Sequence, residues 1–287
     1  MKQYILNVVL CLCTSLSMAQ TIDTRTEKKP VSERITAFKS TRIINAHSSE
    51  MLRKGTMDFR LLHRFGRVNQ GVKQFFGLDQ AAFRMAFDFG LSRDVMVGIG
   101  RSTVGKELDA FIKVRFLQQT KENETPISLL LASGALVRTG ISTDITTPDP
   151  TFIQRSSAYL QMIAARKFSD KFSFQLSPII LFRNRVTGTE ENATFALGGG
   201  ARYKVTRTIA LTADYHHTLQ GLDPGAKDPL SLGIDIETGG HVFQLHFSNS
   251  VGLSERAYLT ETVDEFFKGD IRFGFNLSRI FKVKRRK

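Results

Sequence analysis

Alternation of apolar and polar residues with period two recurs along most of the chain and constrains its fold more than any other feature. In "TMDFRLLHRFG", Met57, Phe59, Leu61 and Phe65 fall on one side, and Asp58, Arg60 and Arg64 on the other. In "AAFRMAFDFG", Ala81, Phe83, Met85, Phe87 and Phe89 share a side opposite Arg84 and Asp88. The pattern returns in "VMVGIG", "DAFIKVRF", "ISLLLASGALVR", "SSAYLQMIAA", "FSFQLSPIILFR", "TFALGGGARYKV", "TIALTADYHH", "LSLGIDIE", "HVFQLHF" and "DIRFGFNLSRIF". Period two marks a strand with unlike faces. The spacing predicts about twelve strands of roughly 9 to 13 residues, an even number and a length that crosses a bilayer at a tilt.

Size decides which face is wet. Side chains can just fill the interior of an eight-stranded barrel, so a closed barrel of about twelve strands has a lumen too wide for an apolar core. The apolar stripes must then face lipid. The expected fold is all-β, a transmembrane antiparallel up-and-down β-barrel, with a soluble sandwich or lipocalin-like barrel as the alternative. With 23 Phe, 5 Tyr and no Trp, its aromatic girdle would be Phe-rich. The connections agree with this reading. "LSRD", "KFSDK", "VTRT" and "TGG" are short, whereas "RVNQGVKQFFGLDQ", "ISTDITTPDPTF", "NRVTGTEEN", "QGLDPGAKDP" and "SVGLSERAYLTETVDEFFKG" are long. Short turns at one end and long loops at the other are the outer-membrane pattern, with the turns in the periplasm. "STVGKE" and "QQTKENET" break it, one short on the outer side and one long on the inner side. Thr262 and Glu265 have capping-box spacing, which predicts a helical turn in the last loop.

The chain begins with Lys2, the apolar run "YILNVVLCLC" and small residues at Ser17 and Ala19, the layout of a secretory signal peptide over residues 1–19. Cys11 and Cys13, the only cysteines, lie within it, so the exported chain is expected to lack disulfides, thiolate metal sites and thiol catalysis. Residues 20–54 are expected to form a periplasmic or plug segment, 55–281 the barrel, and 282–287, "KVKRRK", a basic periplasmic tail. The formal net charge is +13. In an exported protein that excess points to anionic lipid or anionic solutes, not to nucleic acid.

"FKSTRIINAHSSEML", "MDFRLLHRFG", "FGLDQAAFRMAFDFGLSRDVMVGIGRS", "DAFIKVRFLQQ" and "IRFGFNLSRIF" together resemble an uncharacterised family of outer-membrane β-barrels from Bacteroidetes, classed as a domain of unknown function. "HRFG" and "FGLDQA" are the most specific pieces, and the resemblance spans nearly all of the exported chain. It implies the barrel fold and an outer-membrane location in a Gram-negative bacterium. It supplies no site residues.

Several motifs suggest chemistry that their surroundings do not support. "GRSTVGKE" falls one residue short of a phosphate-binding loop: Glu107 stands where Ser or Thr would hold magnesium, and a strand follows in place of a helix. It reads as a glycine-bearing hairpin. His216 and His217 are adjacent, so on a strand they face opposite ways, and His241 and His246 also differ in parity. His63 lies on the apolar side and reads as an interfacial side chain. A membrane-embedded hydrolase would need a serine beside His63 and a third group to orient the imidazole, and no G-x-S-x-G elbow is present. No enzymatic activity, metal or cofactor is expected.

The polar faces carry the functional lead. Parity places Arg60, Arg64, Arg84, Asp88, Asp109, Lys113, Arg115, Arg138, Arg183, Arg202, Lys204, Asp214, Asp235 and Arg272 along the lumen, with Asp58 and Glu237 beside them. The basic excess would favour anions in a narrow passage. Leu117, Leu130 and Leu136 share the inward parity, which suits a partly filled lumen, and "STRIINAHSSEML" is a candidate plug that meets them. The leading expectation is a monomeric, narrow passive channel or small-solute transporter with anion preference. The alternatives are a plugged structural or assembly barrel partnering other envelope proteins, and the hydrolase. Expected partners are outer-membrane lipid, the barrel-insertion machinery that reads a closing strand such as "IRFGFNLSRIF", and small anionic solutes.

Overall fold

The computed structural model describes residues 33–140, 150–186, 188–223, 225–238 and 241–283. The expected signal peptide, residues 20–32 and residues 284–287 of the basic tail lie outside them. Twelve strands follow one another: β1 (Thr56–Arg67), β2 (Ala81–Gly90), β3 (Val95–Ser102), β4 (Glu107–Leu117), β5 (Ser128–Arg138), β6 (Ser156–Lys167), β7 (Phe172–Arg183), β8 (Ala193–Lys204), β9 (Ile209–Gln220), β10 (Leu230–Thr238), β11 (His241–Ser248) and β12 (Arg272–Lys282). Each pairs with its sequence neighbours, and β12 returns antiparallel to β1 to close the barrel, matching Met57 to Phe281 and Leu61 to Leu277. β12 runs through Lys282, and Val283 N–H donates to the Gly55 carbonyl, so the first of the tail residues belong to the closing seam.

The strands form because alternation gives each one a side that cannot share its neighbour's environment. On β11, Gln244, His246 and Ser248 are buried while Phe243, Leu245 and Phe247 are exposed. Elsewhere on the wall, Ile99, Ile112, Leu160, Leu176, Leu211 and Leu232 face outward, and Arg60, Arg84, Asp88, Asp214 and Asp235 face inward. This is the reverse of a soluble barrel, and the outer belt requires an apolar surrounding.

The short turns lie at the end where both β1 begins and β12 ends, here the inner end. The two departures from the turn pattern now have causes. The short outer turn at 103–106 is a single tight bend, with Gly105 at φ +63°. The long inner turn at 118–127 is a bracket for the segment before β1. Ile35 N–H donates to the Gln119 carbonyl, and Lys121 N–H to the Glu33 carbonyl, both at 2.9 Å.

Two expectations need correction. Leu117 faces outward and is 44% exposed, because the β4–β5 register shifts between Arg115 and Leu117 and reverses the parity beyond it. The last loop does contain a helix, Glu255–Thr260, but Ser254 caps it: Ser254 Oγ accepts from Ala257 N–H. Thr262 lies beyond the helix and donates to the Tyr258 carbonyl.

Candidate functional site

Residues 33–54 run into the lumen from the inner end, turn back at its middle and leave toward β1. Arg42 and His47 pair as an antiparallel bridge. Within the bend, Ile43 N–H donates to the Ala46 carbonyl and Ser48 N–H to the Thr41 carbonyl, each at 3.0 Å. Ala37, Phe38, Ile43 and Ile44 form one buried cluster with Ala165 of β6. Leu52 and Met51 join Met96, Phe111, Leu130 and Leu136 in another. The segment therefore meets two of the three leucines that parity turned inward. Gly200 of β8 makes room for the tip, since a Cβ there would overlap Ile43 Cδ1.

The wall holds this hairpin largely through its main chain. Asp214 Oδ2 accepts from Asn45 N–H at 2.7 Å and Ala46 N–H at 2.9 Å. Gln244 Nε2 donates to the Ile43 carbonyl, and Asn276 Nδ2 to the Ile44 carbonyl at 2.9 Å. Gln175 Nε2 donates to the His47 carbonyl at 2.8 Å. Lys113 Nζ reaches three carbonyls, of Glu50 at 2.7 Å, Ser48 at 3.1 Å and Thr41 at 3.3 Å. Arg60 adds bonds to Ser40 Oγ and Thr41 Oγ1.

A second insertion closes the outer end. The β11–β12 loop folds inward and buries Leu253 through Leu259. Its helix meets the hairpin directly: Arg42 Nη1 donates to Glu255 Oε1 at 2.7 Å and to the Asn45 carbonyl at 2.6 Å. His47 Nε2 lies 2.9 Å from the Tyr159 hydroxyl and 3.3 Å from Glu255 Oε1. Arg256 pairs with Glu107 of β4 and, at 2.7 Å, with Glu261, and Ser254 Oγ donates to Glu107. Between the two insertions, solvent does not reach Arg64, Arg84, Lys113, Leu130, Gln161 or Ile163 on the wall. A water-filled bore would leave those side chains wet.

The lumen-lining candidates separate into a middle and two rims. Arg60, Arg64, Arg84, Asp88, Asp109, Lys113, Arg183, Arg202, Asp214 and Asp235 are buried. Arg60 pairs with Asp58 at 2.7 Å, Arg84 donates from Nε to Asp109 Oδ2 at 2.9 Å, and Arg202 pairs with Glu237 at 2.6 Å. Arg183, toward the outer end, pairs with Glu190 at 2.8 Å. Arg138 and Arg272 lie at the outer rim, bound to Glu261 and Asp264. Arg115 lies at the inner rim on Asp94, 2.8 Å away, and Lys204 ends β8 there, half-buried. Among the described residues, Arg64 and Lys113 form no ion pair; Arg64 bonds to the carbonyls of Ser250 and Gly252, Asn45 Oδ1 and His246 Nε2.

Parity could have added Glu107, which shares the inward face of Asp109. Arg42, His47, Glu50 and Glu255 lie outside any strand, where period two gives no orientation. His63 faces outward, its ring stacked on Phe275 at 4.9 Å, and the residues paired with it are Phe83 and Phe275. His216 is buried and His217 exposed, as adjacent strand positions require.

The fold and the filled lumen together define a membrane β-barrel closed from both sides. Over residues 38–281 the chain matches the family described as a membrane-bound beta-barrel domain (DUF5777), and it belongs to that family. No curated protein matches it. Among solved structures it is similar to the KdgM porin, with 6% identity over 79% of this chain and 98% of that one and a TM-score of 0.47. The NanC porin gives 6% identity, 78% and 98% coverage, and a TM-score of 0.46. Outer-membrane phospholipase A from Escherichia coli gives 11% identity, 83% and 96% coverage, and a TM-score of 0.43.

Proposed function

We propose that this protein is an outer-membrane barrel, closed at rest, that passes small solutes when its amino-terminal hairpin leaves the lumen and the β11–β12 loop, released from Arg42, moves aside with it. The observation carrying this reading is a polar insert lying against a polar, charged wall. A segment serving only as filling needs no such wall, because exchanging buried ion pairs for well-packed apolar residues is often neutral or stabilising. A passage needs a wall that stays wettable once the insert is gone. The hairpin enters from the end of the short turns, which in this reading faces the periplasm.

Anion preference follows from what withdrawal uncovers. Lys113 loses its three carbonyl partners on the hairpin, and Arg64 loses Asn45. Two wall cations without carboxylates, Arg64 and Lys113, then share the lumen with two uncovered carboxylates, Glu255, which loses Arg42, and Asp214, which loses the Asn45 and Ala46 N–H groups. Most other lumen cations remain neutralised by their ion pairs, so any anion preference rests on where Arg64 and Lys113 stand along the passage and not on the overall basic excess. In this reading the protein is a non-enzymatic monomer, inserted through β12, with lipid around its apolar belt and no cofactor.

Planar-bilayer recording tests the reading. The full-length protein is expected to be closed for most of the time, and a chain lacking residues 33–52 to conduct continuously with chloride favoured over potassium. Silence from the folded shortened chain would overturn the passage and favour a plugged structural barrel. Lipid hydrolysis abolished by His63→Ala would point to the hydrolase.

A further inference from the structure

The hairpin is held by chemistry that reads a polypeptide backbone. One carboxylate, Asp214, accepts two consecutive main-chain N–H groups, those of Asn45 and Ala46. Three wall amides, Gln175, Gln244 and Asn276, each donate to a main-chain carbonyl, of His47, Ile43 and Ile44. Lys113 gathers three more carbonyls. All five wall side chains are buried and come from β4, β7, β9, β11 and β12, so the receptor belongs to the barrel and not to the hairpin. Hairpin side chains are held too, Arg42 by Glu255, His47 by the Tyr159 hydroxyl, Thr41 by Arg60 and Asn45 by Arg64 and Ser231, but those five wall groups bind the hairpin through its main chain alone. Several hairpin positions are small, among them Ala37, Ser40, Ala46, Ser48 and Ser49.

We infer that the middle of the lumen is a peptide-binding site, occupied in cis by residues 41–50, and that the ligand taking their place is a polypeptide segment bound through its main chain. The inference rests on the hairpin being displaceable, the reading proposed above, and names the substrate class of that same site. A sugar or an inorganic anion offers no alternating row of N–H and C=O groups, so it would leave Asp214 and the three amides unmatched. Unmatched buried polar groups are what discriminates against a ligand lacking them. Asp214 in particular requires two adjacent donors, which consecutive peptide N–H groups at a turn supply.

The probe is a capped synthetic peptide of residues 37–52, added to the chain lacking residues 33–52. Two readouts are independent: block of conductance in bilayers, and fluorescence anisotropy of a labelled peptide against the barrel in detergent. A second peptide keeps Arg42 and His47, the partners of Glu255, and carries Ala in place of Asn45 and Ser49. A third is N-methylated at the amides of Asn45 and Ala46. The second is expected to bind within about tenfold of the first. The third loses two hydrogen bonds to a carboxylate and is expected to bind about 100-fold more weakly. Equal binding of the methylated peptide, or no binding of any peptide, would overturn the site.

The two proposals separate cleanly. A shortened chain that conducts but binds no peptide removes this inference and leaves the passage, whereas one that is silent but binds peptide does the reverse. If the shortened chain does not fold, full-length Arg42→Ala replaces it. There the labelled peptide is expected to bind measurably and the native chain to exclude it; exclusion by both variants would count against the site.

Discussion

Arg42 and Glu255 are 213 positions apart in the chain, yet Nη1 and Oε1 meet at 2.7 Å with both side chains 1% exposed. One belongs to the insertion from the inner end and the other to the insertion from the outer end. The pair is therefore the only arginine–carboxylate ion pair among the described residues that ties the hairpin to the outer loop. It makes the two closures act as one.

Arg42→Ala leaves Glu255 buried without its guanidinium, and removing one partner of a buried pair costs about 3–5 kcal/mol. That loss falls on the closed state. More frequent openings in bilayer recordings and faster proteolysis of residues 33–54 are expected, with the barrel's heat-modifiable migration unchanged. The exchanged pair Arg42→Glu with Glu255→Arg should recover part of the loss. No change in either readout would show that the join contributes nothing to closure.

Gly200→Ala puts a methyl group where Ile43 Cδ1 lies. Overpacking of a filled site costs about 1–3 kcal/mol, nearer the low end here because the obstructed atom ends a side chain. The closed state should weaken, and Ile43→Ala in the same chain should restore it. Additive damage in the double variant would place the effect elsewhere.

The inner rim should respond to acid. Burial tends to raise the Asp94 carboxyl, but the hydrogen bond and charge of Arg115, with Arg34 and Arg93 nearby, outweigh it and hold the group below the usual carboxylate range. Arg34 belongs to the hairpin's root and lies 3.4 Å from Asp94. For a depressed carboxyl, the stabilisation is present above the unfolded value of about 3.9 and fades as pH falls through the folded one. Anchoring of the root should hold from neutral pH to about pH 4 and loosen below it. Asp94→Asn should abolish that acid step in proteolysis of residues 33–54. Both groups are partly exposed, so the effect is small, within about 1 kcal/mol.

Leu245→Lys tests which side faces lipid. Leu245 projects from the middle of β11 on the exposed face. A lysine there should cost about 2–4 kcal/mol on folding into vesicles if the position lies near the bilayer midplane. Measured by urea titration, a negligible penalty would contradict the apolar belt.

Strand number, order and facing were legible in the sequence because each depends on local alternation. Arg60, Arg84 and Asp214 could be assigned inward from their neighbours alone. Leu117 could not, since one extra residue at a bulge reverses parity and leaves no mark in composition. The basic excess suggested a positive, anion-favouring lumen because the acids that offset part of it were not all visible. Glu107 shared a readable parity, but Glu255 arrives from a loop, and its partner Arg42 from a segment with no period. Contacts between non-periodic segments at long separation are set by the closed barrel, so the fold had to be known before the site could be assembled.

The hairpin lies at the front of the chain, but Asn276, which holds its tip, stands on β12 at the back. β12 also makes the seam with β1, at whose foot the hairpin is rooted. The earliest-made part of the barrel unit can thus settle only after the latest-made part has arrived, and contacts of such sequence separation form late in folding. A barrel stalled before closure would keep the hairpin loose outside the lumen, within reach of proteases. Filling of the lumen is thereby a receipt for completed assembly: only a chain that has finished its wall can put its own beginning away.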